Sequence, residues 1–143
     1  MAETVYLTKR VKFSAAHYFY LERLSPKENF KRFGPSANTN AHGHNYVVEV
    51  TVKGPCDPET GMVMNLKDIK ILLDELIVQP LHFKNLNKDV PAFETQFPTL
   101  ENVAVYLWRQ LTPRIGAYGL ALDNIRIAED EDLYVEYFGE GAA

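Results

Sequence analysis

Cysteine is nearly absent from this sequence, since Cys56 is the only one among 143 residues. A lone cysteine excludes an intrachain disulfide framework and a cysteine-rich zinc site. Basic residues are also few, because 15 lysines and arginines face 19 aspartates and glutamates, which leaves a formal net charge of −4. A protein that grips the nucleic-acid backbone needs a basic surplus, so we expect no nucleic-acid partner.

Long apolar runs are missing as well. No stretch approaches the roughly 18 consecutive apolar residues of a membrane-spanning helix, and the start Met1-Ala2-Glu3 lacks the charge and the apolar core of a signal peptide. A hydrophobic share of 46% with 24% charged residues is ordinary for a globular protein. The length favours one domain spanning residues 1–143. We therefore expect a cytoplasmic single-domain protein with no membrane partner.

Two segments alternate between apolar and polar residues, which is typical of β-strands. The first begins at Val5 and its parity leads on to His17, and the second runs from His42 until Gly54-Pro55 ends it. Residues 18–41, between the two, contain proline, glycine and asparagine in no periodic order. The sequence predicts an irregular loop there, and a loop of this length is usually functional or disordered.

Two later segments carry apolar residues at helical spacing. Asn65 is positioned to cap the first helix, and Pro80 is expected to end it. Thr99 is positioned to cap the second helix, which Pro113 is expected to end. The apolar stripes are Leu66, Ile69, Leu73, Leu76 and Ile77 in the first helix and Leu100, Val103, Ala104, Leu107, Trp108 and Leu111 in the second.

Two short strands close the chain, over residues 125–128 and 133–137, joined by an acidic turn. The element order predicts an α+β fold in which a four-stranded, antiparallel sheet carries two helices on one face. The other face keeps apolar side chains such as Tyr6 and Val47, and both outer strands leave backbone groups unpaired. Because such edges are covered, charged or shared between subunits, we expect an oligomer.

Three of the four histidines suggest a metal site. His42 and His44 are two residues apart on one strand, so both imidazoles point to the same side. His17 reaches the same point if its strand lies beside theirs. Three histidines with one open position form a typical catalytic zinc site, whose vacancy takes water or a substrate oxygen. The alternative is that an H-x-H pair arises by chance on an exposed strand.

Four segments resemble the 6-pyruvoyltetrahydropterin synthase family, which includes the 6-carboxytetrahydropterin synthases, and the resemblance extends in order over nearly the whole chain. They are FSAAH at residues 13–17, NAHGHNY at residues 40–46, DPETGMVMNL at residues 57–66 and TLENVAVYLW at residues 99–108. The long form of the loop at residues 18–41 is more similar to the pyruvoyl-type branch of the family than to its carboxy-type branch.

The resemblance implies both a fold and a reaction. The fold is the tunnelling fold, in which three subunits complete a barrel by sharing their sheets and two trimers stack into a homo-hexamer. Zinc is the implied cofactor, with His17, His42 and His44 as its ligands. The implied substrate is the pterin 7,8-dihydroneopterin triphosphate, from which the enzyme eliminates triphosphate with internal redox rearrangement of the side chain. Zinc on the side-chain oxygens acidifies the neighbouring protons, which is Lewis-acid chemistry.

The resemblance also implies a pterin-binding set made of Thr99, Glu101 and Glu129. Glu129 matches the carboxylate that grips the amino-pyrimidine edge of the pterin, a fork-type contact to two N–H donors. Each residue has a plainer interpretation. Glu129 is also one acid among several at a strand end, Glu101 also suits the helix dipole, and Thr99 is also a helix N-cap.

The sequence departs from the family at the proton-transfer positions. Ser36 stands where the family has its cysteine base, and Cys56 lies too far along the chain to replace it. His82 and Phe83 stand where the family has an aspartate and a histidine. A serine hydroxyl is a far poorer base than a thiolate, and losing a positioned base typically costs about 10²- to 10⁴-fold in rate.

An imidazole is suited to proton transfer at physiological pH, so His82 is a candidate catalytic base beside Ser36, although it is equally an ordinary loop histidine. Three hypotheses follow. The first is a zinc-dependent pterin lyase with altered proton transfer, which gives either the pyruvoyl product or a cleaved side chain. The second is a catalytically inactive pterin-binding homologue, and the third is a metal-free structural or interaction protein.

Overall fold

The protein folds around one five-stranded sheet, as shown by a computed structural model that describes residues 3–140. The strands lie in the order β3-β1-β2-β4-β5. Their bounds are β1 (Thr4–His17), β2 (His42–Pro55), β3 (Lys84–Asn85), β4 (Ala121–Ala128) and β5 (Tyr134–Tyr137).

The prediction of four strands was wrong by one, because β3 was missed. This two-residue strand pairs with Ala15 and Ala16 of β1, and it runs parallel to β1 where every other pairing is antiparallel. Two residues are too few to show a period of two, so the sequence carries no signal for β3. The other four strands and their antiparallel pairing are confirmed.

The register of β1 and β2 decides which side chains share a face. His17 is paired with His42, Ala15 with His44 and Phe13 with Tyr46. Directly paired residues of antiparallel strands point to the same face, so all of these side chains lie on one side of the sheet. That side is the core side, and its strand residues are buried with those of the helices.

The prediction of two helices was also too simple. The structure has α1 (Pro26–Phe33), α2 (Leu66–Leu73), α3 (Gln79–Leu81), α4 (Leu86–Asp89) and α5 (Leu100–Gly116). Helix α1 lies within residues 18–41, where an irregular loop was predicted. It begins with a capping box, in which Ser25 and Glu28 each accept a hydrogen bond from the other's backbone N–H. A 3-10 turn, Gly34–Ala37, follows it.

The predicted N-caps of the two helices are confirmed, but neither helix ends at the predicted proline. Asn65 accepts from the backbone of Lys67 at the start of α2, and Thr99 accepts from Asn102 at the start of α5. Pro80 does not end the first helix, because a π-helical turn, Asp74–Val78, leads into α3, which contains it. A proline in the first turn of a helix needs no backbone donor, which makes this position tolerable.

Helix α5 likewise runs beyond Pro113, which lies inside its last turns. Its buried stripe, with that of α2, covers the core side of the sheet. The opposite side carries the exposed residues Tyr6, Thr8, Arg10 and Lys12 of β1. Among the residues that the structure describes, no helix is long and apolar enough to cross a bilayer.

Candidate metal centre

The side chains of His17, His42 and His44 meet at the end of the β1–β2 ladder. Their ring centroids are 4.7 Å apart for His17 and His42, and 5.0 Å apart for each of the other two pairs. One ligand nitrogen from each ring lies within 4.8 Å of the others. The rings are steeply inclined to one another, at 62°, 89° and 90°, so the three form a compact tripod rather than a stack.

His17 is held by a backbone carbonyl. Its ring is 1% exposed, and Nδ1 lies 2.9 Å from the carbonyl oxygen of Pro98. Because a carbonyl only accepts, Nδ1 must carry the hydrogen, which leaves the lone pair on Nε2 free for a metal. A metal-binding histidine typically uses its second nitrogen in this way.

The protonation state of the clustered histidines also favours binding of a cation. Burial lowers the pKa of His17 to about 4, with the Pro98 carbonyl acting in the opposite direction and the charges of His42 and His44 lowering the pKa further. Burial lowers the pKa of His42 as well, and the charge of His44 adds to that shift. Neutral imidazole is the form that binds a metal. The donor set therefore fits a divalent ion such as zinc.

Glu129 lies at the edge of this cluster. It follows the last residue of β4, and its Oε2 is 3.7 Å from Nε2 of His44. Burial raises the pKa of its carboxyl group, the charges of Asp130 and Glu101 raise it further, and His44 lowers it. Glu101 is exposed at the start of α5, and its charge is one of those that raise the pKa of Glu129.

The start of α5 joins the same place through its backbone. Thr99 Oγ1 accepts a hydrogen bond of 3.1 Å from the backbone N–H of Asn102, so the capping role is real. The residue before it, Pro98, supplies the carbonyl that holds His17. Glu129 therefore lies beside His44, and the start of α5 contacts the cluster through the Pro98 carbonyl, which directly precedes Thr99.

Ser36 reaches the cluster through one intermediate residue. Its carbonyl accepts a 2.8 Å hydrogen bond from the backbone N–H of Phe19. The ring of Phe19 in turn contacts the ring of His17 edge-on, with centroids 4.9 Å apart. The turn that contains Ser36 is thus placed one side chain away from the candidate metal centre.

His82 lies away from the three clustered histidines. Its Nδ1 accepts a 3.0 Å hydrogen bond from the backbone N–H of Ser14, and its ring stacks on Phe83 at 3.8 Å. Phe83 is 83% exposed and has a φ of 61°. These contacts place His82 at the β1–β3 edge, and among the described residues its partners do not include the three clustered histidines.

A cavity of about 430 Å³ lies between β2 and β3, and most of its lining from β1 and β2, including Ser14 and Asn45, is on the face of the sheet opposite the three imidazoles. Phe83 and Lys84 line it on the β3 side, while His44 and Asn45 line it on the β2 side. Small residues, including Ala16, also line it. Any molecule in this cavity would touch the backbone next to the metal centre and the exposed aromatic ring together.

Two contacts of the centre were missed from the sequence. The Pro98 carbonyl is a backbone group, which no residue type reveals. Tyr46 is different, because it has the same parity on β2 as His42 and His44, and its hydroxyl oxygen lies 3.3 Å from Nδ1 of His17. Burial raises the pKa of Tyr46, and the charge of Glu129 adds to the shift.

Comparison with known proteins gives consistent matches. A family model described as 6-pyruvoyl tetrahydropterin synthase matches residues 6–140. A Homo sapiens protein named 6-pyruvoyl tetrahydrobiopterin synthase is 48% identical over 134 residues, which is 94% of this chain and 91% of that protein. A Dictyostelium discoideum protein of the same name is 40% identical and covers 98% of this chain and 100% of its own length.

A solved structure agrees with the sequence matches. The Caenorhabditis elegans 6-pyruvoyl tetrahydropterin synthase superposes with a TM-score of 0.88 at 35% identity. The superposition covers 97% of this chain and 98% of that one. The match therefore extends over the whole fold described above, including the strands that carry the histidines.

Proposed function

The chain belongs to the 6-pyruvoyl tetrahydropterin synthase family, and on that premise we propose that it is a zinc-dependent pterin lyase acting on 7,8-dihydroneopterin triphosphate. The observation that carries the proposal is the cluster of His17, His42 and His44 with Glu129 beside it. One side of this arrangement can hold a cation and the other can hold the polar edge of a heterocycle.

The metal would be held by the three histidines. Bound zinc supplies a Lewis acid that polarises the side-chain oxygens of the substrate and makes neighbouring protons more acidic. The protein contributes the orientation of the ligands, since the Pro98 carbonyl keeps His17 in the form with Nε2 unprotonated. The burial of His17 keeps its ring neutral and ready to bind.

Glu129 would fix the pterin ring. A carboxylate can accept two parallel N–H donors from the guanidine-like edge of a pterin, which sets both position and rotation of the ring. Because Glu129 is 3.7 Å from His44, a ring held by it would lie beside the candidate metal centre. Thr99 and Glu101, at the start of α5, would form the second contact to the pterin.

Proton transfer would fall to Ser36 and His82. Because Nδ1 of His82 accepts from Ser14, the neutral ring carries its hydrogen on Nε2 and first acts as a donor there. Ser36 is a weak base, so we expect turnover about 10²- to 10⁴-fold below that of a site with a positioned base. The product is then either the pyruvoyl compound or a pterin with a cleaved side chain.

The assembly and location follow the same premise. We expect a single pterin synthase-like domain over residues 1–143 that forms a cytoplasmic homo-hexamer of two stacked trimers, with the sheets of three subunits joined in a barrel. The support is the sheet itself, because β5 is an outer strand and none of the described helices covers the opposite face. Tyr6 and Tyr134 are 58% and 48% exposed.

The deciding experiment is mass spectrometry of the products after incubation with 7,8-dihydroneopterin triphosphate. The zinc-loaded full chain should release triphosphate, and a chelator should stop the release. Glu129→Gln should abolish turnover, whereas the neighbouring control Glu131→Gln should not. No turnover and no pterin binding over hours would contradict the proposal.

Pterin binding without turnover would instead identify an inactive pterin-binding homologue. In that case the combined changes Ser36→Cys, His82→Asp and Phe83→His should create activity, because they place the family's proton-transfer groups in an otherwise complete site. Absence of zinc from the protein, with no effect of His17→Ala, would favour a structural or interaction protein.

A further inference from the structure

Tyr46 is the largest side chain buried beside the candidate metal centre. It lies on β2 two residues after His44, is 1% exposed, and stacks on Phe13 with ring centroids 4.7 Å apart and an angle of 14°. Phe13 is its register partner on β1. Because Tyr46 belongs to β2 and its ring is stacked on a residue of β1, its hydroxyl group has little freedom to move.

The hydroxyl group is directed at His17. Its oxygen is 3.3 Å from Nδ1 of His17, the nitrogen that also lies 2.9 Å from the Pro98 carbonyl. Since the Nδ1 hydrogen points to that carbonyl, the Tyr46 oxygen is a second acceptor for the same N–H. The ring of Tyr46 also meets His17 and His44 edge-on, at centroid distances of 6.2 Å and 5.7 Å.

We propose that Tyr46 is a positioning residue of the metal centre, which fixes the tautomer and the rotation of His17 and limits the movement of His44. This inference rests on the metal site of the proposed function. Two acceptors on one N–H hold the hydrogen on Nδ1 more firmly than one, so the lone pair of Nε2 stays available. Because the Tyr46 ring is stacked on Phe13, it is fixed to both β1 and β2, and the imidazoles that it contacts are held in place as well.

The test is the zinc affinity of Tyr46→Phe, measured on the full chain by competition with a coloured chelator. Loss of an outer-shell partner typically weakens metal binding about 10- to 100-fold, and because the Pro98 carbonyl remains, we expect the lower figure. The matched control is Tyr106→Phe, which removes a hydroxyl group from a half-buried ring that packs on Phe93. Its zinc affinity should equal that of the wild type.

A second measurement keeps the inference testable should Tyr46→Phe fold poorly. A long-range ¹H–¹⁵N spectrum of the metal-free wild type should show His17 with its hydrogen on Nδ1. In Tyr46→Phe, where only the Pro98 carbonyl still accepts from that N–H, the fraction of His17 with its hydrogen on Nε2 should be larger than in the wild type. A wild type that carries the hydrogen on Nε2 would overturn the inference.

The outcomes separate this inference from the proposed function. Equal zinc affinity of wild type and Tyr46→Phe would overturn the positioning role and leave the zinc site intact. A wild type that binds no zinc would overturn both. A weaker zinc affinity in Tyr46→Phe alone, with the thermal unfolding of the two metal-free proteins unchanged, would support the positioning role.

Discussion

The three clustered histidines contribute unequally to the stability of the fold. His17 is fully buried, and it satisfies the Pro98 carbonyl, so its removal would leave a cavity and a buried acceptor without a partner. Such a loss costs about 1–3 kcal/mol for the acceptor alone. His42 is only half-buried, and among the described residues it makes no comparable hydrogen bond. A variant at His42 therefore tests metal binding with little disturbance of the fold.

We expect His42→Ala to lose most of its bound zinc. Two imidazoles remain in that variant, and a zinc site with fewer than three protein ligands binds weakly. The control is His82→Ala, which removes the chain's other histidine from a place outside the cluster. Elemental analysis after dialysis should give about one zinc per chain for the control and almost none for His42→Ala. Equal zinc in both variants would rule out the three-histidine site.

The candidate site was predictable where side-chain parity decides the outcome. His42 and His44 share a face because they are two apart on a strand, and His17 joins them because β1 pairs with β2 in antiparallel register. The tertiary contacts were not predictable in this way. The Ser14–His82 hydrogen bond depends on how the chain returns to the β1 edge after α3, which no local pattern reports.

At the scale of elements, strong periodicity identified β1, β2, α2 and α5, because each buries one face against the core. Short elements have no such signal, and β3 could not be found from two residues. Helix α1 could have been found from its capping box, because Ser25 and Glu28 have the required spacing. The composition of residues 18–41 favoured a loop instead.

Helix α5 links stability to the metal centre through its first residues. We expect Thr99→Ala to lower the free energy of unfolding by about 1 kcal/mol, which is typical for loss of an N-cap. Because the adjacent Pro98 carbonyl orients His17, the same variant should also weaken zinc binding. The control Ser25→Ala removes the cap of α1 and should lose similar stability without a change in zinc affinity.

Chemical denaturation and chelator competition on the same preparations check both expectations. A Thr99→Ala protein with reduced stability and unchanged zinc affinity would show that the cap and the carbonyl act independently. A Ser25→Ala protein with weakened zinc binding would show instead that any loss of stability reaches the metal centre.

At the scale of the whole molecule, the helices within residues 3–140 cover only one face of the sheet. The helices pack on the core side, and the opposite side exposes Tyr6 beside charged residues. The outer strand β5 is flanked by Leu133 and Phe138, which are 48% and 50% exposed. Exposed apolar residues beside an open strand edge favour association with another chain.

The proposed homo-hexamer predicts the mass of the protein in solution. Light scattering should give six times the 16.3 kDa of one chain. The double variant Leu133→Lys with Phe138→Lys should dissociate, because it places charges at both ends of β5. The control Ile71→Lys changes a residue that is 54% exposed on α2, and it should keep the wild-type mass.

The dissociated variant also separates the metal centre from the assembly. All three histidines come from one chain and sit on two strands of the same ladder, so the dissociated protein should still bind zinc. Turnover should fall if neighbouring subunits complete the pterin site. A monomeric wild type with full activity would contradict the expected hexamer, and loss of zinc on dissociation would show that the tripod itself depends on contacts between subunits.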